Sequence, residues 1–197
     1  MRKTRLEAFS DGVLAIIITI MVLELKVPHS DNLSDLIKLG PVFLSYVLSF
    51  VYIGIYWNNH HHMLHAVEQV NGKVLWANSH LLFWLSLVPF VSGWMGENNF
   101  TRWPVFVYGI VLLMCAVSFS ILTATLISLE GHNSVLANAL GKDGKSKWSR
   151  ILYVASLALC FVHPLLGFGG YVVVAVMWFV PDLRIEKKLA QQQDETK

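Results

Sequence analysis

The chain has 197 residues, 55% of them hydrophobic and only 14% charged, with a mean hydropathy of +0.54; a soluble domain carries roughly 25% charged residues, so an ordinary water-soluble globule is excluded. The net charge of +2 is too small to point to nucleic acid. The two cysteines, Cys115 and Cys160, both lie in apolar runs, which argues against a disulfide framework and against a thiolate-built metal centre.

The N-terminus imitates a signal peptide, with basic residues followed by an apolar run. Glu7 and Asp11 nevertheless sit where the apolar core of such a peptide should begin, and no small-residue cleavage site follows Leu23. The segment is therefore expected to stay as a first membrane span. A spanning helix needs about 20 mostly apolar residues, and the candidates are 7–27, 39–63, 74–95, 103–129, 149–164 and 166–181. The last two are short and are divided by His163-Pro164 and by Gly167, Gly169 and Gly170. Two short spans with a tight turn are expected there, in preference to one broken re-entrant unit. Gly131 to Ser149 reads as a solvated loop, and 182–197 as a polar cytoplasmic tail. No internal repeat is visible, so a two-fold transporter architecture has no support. The expectation is an all-α integral membrane protein with six transmembrane helices per subunit, forming a single domain over 1–197.

Lysine and arginine set the orientation. With six spans, one side collects 12 of them and the other only Lys26, Lys38 and Arg102. The positive side should be cytoplasmic, which places both termini inside. Trp57, Trp76, Trp94, Trp103, Trp148 and Trp178 fall near span ends, as interfacial aromatics do.

The first span stands apart because it holds Arg5, Glu7, Ser10, Asp11, Thr19 and Glu24. Charges in hydrocarbon cost about 2.5–3.5 kcal/mol each on the milder insertion scale, so one side of this helix should face protein or water. At about 100° per residue, Ile16, Thr19, Ile20 and Leu23 share one arc about 100° wide, and Ile17 falls outside it. Asp11 lies on nearly the opposite side. On spacing alone the stripe fits ordinary helix packing, and Asp11 fits an interfacial carboxylate.

Arg5-x-x-x-Phe9-Ser10-Asp11, continued by Gly12-Val13-x-Ala15-Ile16-x-x-Thr19 and Leu23-Glu24, resembles the first-helix signature of bacterial relatives of the lysosomal potassium channel, the transmembrane protein 175 family. The resemblance extends through Trp57, His60-His61, Leu75, Asn78 and Pro89-Phe90 to the closing Trp178-Phe179-x-Pro181-Asp182-x-Arg184-x-Glu186. It implies a bacterial plasma-membrane channel of a non-canonical potassium-channel architecture, a homotetramer of single six-helix repeats, passing potassium and other monovalent cations without a cofactor. Nothing in the chain resembles a TVGYG carbonyl filter. By the same resemblance the first helices of four subunits line the pore. Ile16, Ile20 and Leu23 then form apolar rings that gate by dewetting, with Thr19 offering hydroxyls between them. The Phe-Ser-Asp motif would join helices: Arg5, Phe9, Ser10 and Asp11 would form a structural polar network with His60, His61 and Asn78, and Asp11 would pair with His60, His61, Asn78 or His80.

His61 and His65 are one helical turn apart, a spacing that can bind metal. A closed zinc site needs four ligands, and no cysteine or acidic cluster completes one; haem would need an axial partner such as His80 or His163. The expected reading is an interfacial hydrogen-bonded cluster with no metal. A proton-conducting or proton-coupled transporter using Asp11 and a histidine is the alternative function, although the stripe lacks titratable groups. No nucleophile–base pair or nucleotide fingerprint suggests an enzyme.

Overall fold

The computed structural model describes residues 3–67, 69–131, 134, 136–137 and 144–179. The expected tail 182–197, and residues 132, 133, 135 and 138–143 of the expected 131–149 loop, lie outside the described residues. Among the described residues eight α-helices are delimited, in order: α1 Thr4–Leu23, α2 Leu33–Lys38, α3 Gly40–His65, α4 Gly72–Ser86, α5 Val88–Glu97, α6 Arg102–Glu130, α7 Gly144–Leu159 and α8 Pro164–Phe179.

Local chemistry sets these limits. Pro41 and Pro89 open α3 and α5, where a missing N–H costs nothing. The Asn71 side chain accepts the Val74 N–H at 3.0 Å and so caps α4. Gly131, at φ 96°, ends α6 in a conformation most side chains avoid. Pro89 also explains the break at Leu87 between α4 and α5, because proline removes a helical donor and crowds the preceding turn. The two halves still form one apolar stretch of 26 residues, Gly72–Glu97.

Among the described residues four segments are long and apolar enough to cross a membrane: Thr4–Leu23, Gly40–His65, Gly72–Glu97 and Arg102–Glu130. α7 and α8 have 16 residues each, about 24 Å at 1.5 Å per residue, and pack side by side as a hairpin. The chain is an all-α integral membrane protein. The structure departs from the sequence expectation at several places, among them the break at Leu87 inside the expected span 74–95 and the end of α7 at Leu159 and not at residue 164. The first helix stops at Leu23 and not at residue 27, because Leu25-Lys26-Val27 leads into Pro28. α7 starts five residues before 149. The short helix α2 was not anticipated; it exposes Leu33, Leu36 and Ile37.

Contacts sort the helix ends into two layers. At one end the Lys3 ammonium donates to the carbonyls of Leu64 and His65, at 2.8 and 3.1 Å, so α1 begins where α3 finishes. A cation is favourable at a helix C-terminus, where carbonyls lack partners. At the other end Lys26 bonds Glu97 at 2.6 Å, beside the exit of α5, which holds the Lys26 ammonium pKa above its ordinary value. Between the layers α3, α5, α6 and α8 share a core with its own polar links. Ser49 donates to Ser92 at 2.9 Å and meets the Tyr108 hydroxyl at 3.0 Å. The Tyr52 hydroxyl donates to the Tyr171 carbonyl at 2.5 Å.

Small residues let these helices approach, as is common in membranes. A Cβ at Gly96 would lie 2.6 Å from the Val42 Cα, whereas one at Gly54 meets nothing within 4 Å. Gly96→Ala should therefore lower the thermal midpoint in detergent, by an overpacking cost of about 1–3 kcal/mol. Gly54→Ala should leave it level or raise it. Equal midpoints for the two variants would refute the close α3–α5 contact.

Candidate functional site

α1 has two faces with different surroundings. Leu6, Ser10, Leu14, Ile17 and Met21 are buried, against α3, α4 and α5. On the other side Ile16 is 60% exposed, Ile20 43% and Leu23 74%, and Thr19 between them is also exposed. The four stripe residues therefore lie together on the outside of the subunit. The Thr19 hydroxyl donates to the Ala15 carbonyl at 2.8 Å. Its proton points back into the helix, so its lone pairs face outward, an arrangement that suits a cation and not an anion.

The buried face carries a polar chain across three helices. Asn78 of α4 donates from Nδ2 to Ser10 Oγ at 3.0 Å, and Ser10 donates in turn to the Leu6 carbonyl at 2.8 Å. On its other side the Asn78 Oδ1 lies 2.7 Å from His60 Nε2 of α3. The oxygen can only accept, so Nε2 carries the proton. Ser10 and Asn78 are fully buried and His60 is nearly so, and every member has a partner, as a buried polar group requires.

The other residues expected in this network lie elsewhere. Asp11 does not pair with His60, His61, Asn78 or His80. Its Oδ1 accepts the Trp57 indole N–H at 3.0 Å, at an exposed position. The phase of Asp11 on α1 turns it toward the flank of α3 that carries Trp57, while His60 faces inward. His61 is exposed, with its ring stacked on Trp57 at 5.8 Å and on His65 at 6.3 Å. His80 accepts from Trp84 within its own helix at 3.0 Å. Phe9 is exposed in phase with the stripe, and Arg5 is exposed with no hydrogen bond or ion pair among the described residues. Trp57 is the contact that the sequence reading missed, although it was among the residues carrying the resemblance. Among the described residues no group of three or more His, Cys, Asp or Glu side chains is placed to hold a metal ion.

Asp11→Asn keeps an oxygen for the Trp57 N–H but loses the charge. It should reduce the yield of folded, assembled protein by a small factor, since a charge-assisted bond at an exposed site is weak, and leave cation preference unchanged. Normal assembly with altered preference would give Asp11 a role in permeation.

An all-helical membrane subunit with an exposed apolar stripe on its first helix and a buried Ser–Asn–His chain behind it defines a class, and comparison with known proteins places it. The family described as endosomal/lysosomal potassium channel TMEM175 matches residues 5–89. A potassium channel from Chryseobacterium sp. is 52% identical over 97% of this chain and all of its own length. One from Chamaesiphon minutus is 32% identical over 87% of this chain and 91% of its own. A crystal structure described as a lysosomal potassium-selective channel TMEM175 homolog from Chamaesiphon minutus superposes with a TM-score of 0.81 at 30% identity, covering 91% of this chain and 97% of that one. The human protein described as endosomal/lysosomal proton channel TMEM175 is 27% identical over 85% of this chain but only 36% of its own length. The chain belongs to the TMEM175 family, whose members compared here are channels and not enzymes.

Proposed function

We propose that the chain is the subunit of a potassium-permeable cation channel of the bacterial plasma membrane. Four copies surround the pore with α1 innermost, each crossing the membrane six times with both termini cytoplasmic. The observation that carries this reading is the exposed stripe of Ile16, Thr19, Ile20 and Leu23 on a helix whose remaining length is held in the core. The potassium channels named among the relatives supply the ion.

The stripe acts as a constriction without a carbonyl filter. Rings of Ile16, Ile20 and Leu23 leave a permeating ion without partners for its hydration shell, so passage is limited by partial dehydration beside apolar walls. Potassium sheds water more readily than sodium. The outward lone pairs of Thr19 replace part of the lost shell, so preference for potassium is modest. The Ser10–Asn78–His60 chain fixes the rotation of α1 and so aims the stripe.

A proton-conducting protein is the second reading, favoured by the description of the human relative as a proton channel. The two separate in one experiment. Purified protein, verified as a tetramer, is placed between solutions with opposing potassium and proton gradients, and the reversal potential is read. A potential that follows the potassium gradient supports the channel. One that follows the proton gradient, and ignores potassium, replaces it.

A further inference from the structure

Arg5 stands out as a charge without a structural task. The cations at the start of α1 sit at the positive end of its dipole, where they are unfavourable. Lys3 has a reason to be there, because it caps α3 through Leu64 and His65 and lies 3.9 Å from Glu7. Arg5 is exposed and makes no such bond among the described residues. At about 100° per residue Arg5 falls in the same arc as Ile16, Thr19, Ile20 and Leu23. It lies in phase with Leu23, 18 residues away, or about 27 Å along the axis. Phe9 and Gly12 continue the same face between Arg5 and Ile16. The stripe therefore runs the full length of α1 and ends, at the N-terminal side, on a guanidinium.

Resting on the pore reading above, we propose that Arg5 is a permeation residue: four copies form a cationic collar at the cytoplasmic mouth that makes the channel pass potassium inward more readily than outward. A ring of fixed positive charge lowers the local cation concentration at that entrance. The opposite mouth is different in character. Glu24, Asp31, Asp35 and Glu97 fall in or beside the connections at that end of the subunit, with Lys26, Lys38 and Arg102, and Lys26 and Lys38 are each bonded to one of the carboxylates. A cation arriving from the cytoplasm meets the collar before the constriction, and one arriving from outside meets it only afterwards. The asymmetry falls with salt. The Debye length shrinks from about 10 Å at 0.1 M to about 3 Å at 1 M.

Cysteine modification tests this with opposite charges on one variant. Cys115 and Cys160 are both buried, so a methanethiosulfonate reagent from the cytoplasmic side reaches an introduced thiol first. In inside-out patches at about 0.1 M potassium chloride, Arg5→Cys treated with a sulfonate-bearing reagent should carry roughly two- to five-fold more outward current. A trimethylammonium-bearing reagent should reduce it toward the parent level. At about 1 M salt both differences should shrink strongly, and Arg5→Lys should behave as the parent. Leu23→Cys lies beyond the Ile16 and Ile20 rings at the opposite end of α1, so it is treated in parallel from the extracellular side in outside-out patches, and either reagent should block it. If Leu23→Cys is blocked while Arg5→Cys responds to neither reagent, or to both in the same direction, the collar is refuted and the pore reading stands. If neither variant responds, both are refuted.

Discussion

Ile16→Asn should raise potassium and sodium flux together, by about ten-fold, and bring the ratio between them closer to one. An amide on each of four subunits lets water remain in the ring, so the ion keeps more of its shell at the narrowest point. Lowering the barrier by about 1.4 kcal/mol is enough for a ten-fold gain. Ile20→Asn and Leu23→Asn should act in the same direction. A control must be exposed but off the stripe. Ile17, outside the arc, does not qualify, because it is 3% exposed; Ile17→Asn would bury an amide and unfold the subunit. Val22 is exposed and lies about 120° from Ile16, so Val22→Asn should leave flux unchanged. The measurement is cation flux into liposomes carrying equal amounts of verified tetramer. Unchanged flux in all three stripe variants would mean that this face meets lipid or a neighbouring subunit and that the pore lies elsewhere.

Asn78→Leu should be the most damaging conservative change in the subunit. Leucine has nearly the shape of asparagine but leaves the His60 Nε2 proton facing apolar surroundings. An orphaned buried donor costs about 1–3 kcal/mol, a large part of a typical margin of stability. Ser10 keeps its bond to the Leu6 carbonyl and suffers less. The thermal midpoint in detergent and the yield of tetramer should both fall. His60→Leu combined with Asn78→Leu should recover much of the loss, since replacing both partners by apolar groups is far cheaper than stranding one. The tetramer that does form should retain its potassium preference, because Asn78 is buried on the side of α1 away from the proposed pore stripe. A double variant no more stable than the single one would show that the pair is not the unit of stabilisation.

The long apolar helices were legible because hydrophobic content survives in any register and a bilayer demands it in stretches of about 20 residues. Their ends were less so. Leu25 and Val27 are apolar, but Lys26 and Pro28 surround them, and hydropathy alone does not register that the helix has already stopped at Leu23. α2 was missed because six residues give no clear period. The division of α1 into a buried and an exposed side was visible as phase, since helical geometry is local. The partner of Asp11 was not. Phase on one helix gives a direction but not the azimuth of the neighbour, and Trp57 and His61, one turn apart on α3, both offer an N–H. Which of them meets the carboxylate depends on how α3 is rotated, and the inward bond of His60 to Asn78 sets that rotation.

The anchoring of α1 bears on how such a channel opens. Lys3 holds its first turn to the end of α3, and Leu6, Ser10, Leu14, Ile17 and Met21 bury one side over nearly its whole length. Such a helix moves only with the rest of its subunit. In the proposed four-fold arrangement, no α1 can swing away from its own subunit, like one blade of an iris, without tearing Asn78 from Ser10. Opening then falls to what can change while the backbone stays still, namely the rotamers of Ile16, Ile20 and Leu23 and the filling of the space between them with liquid. On the pore reading proposed above, conduction is in that sense a drying transition held in a rigid frame, and it should answer to whatever alters the wetting of four small rings more than to forces that pull on the helices.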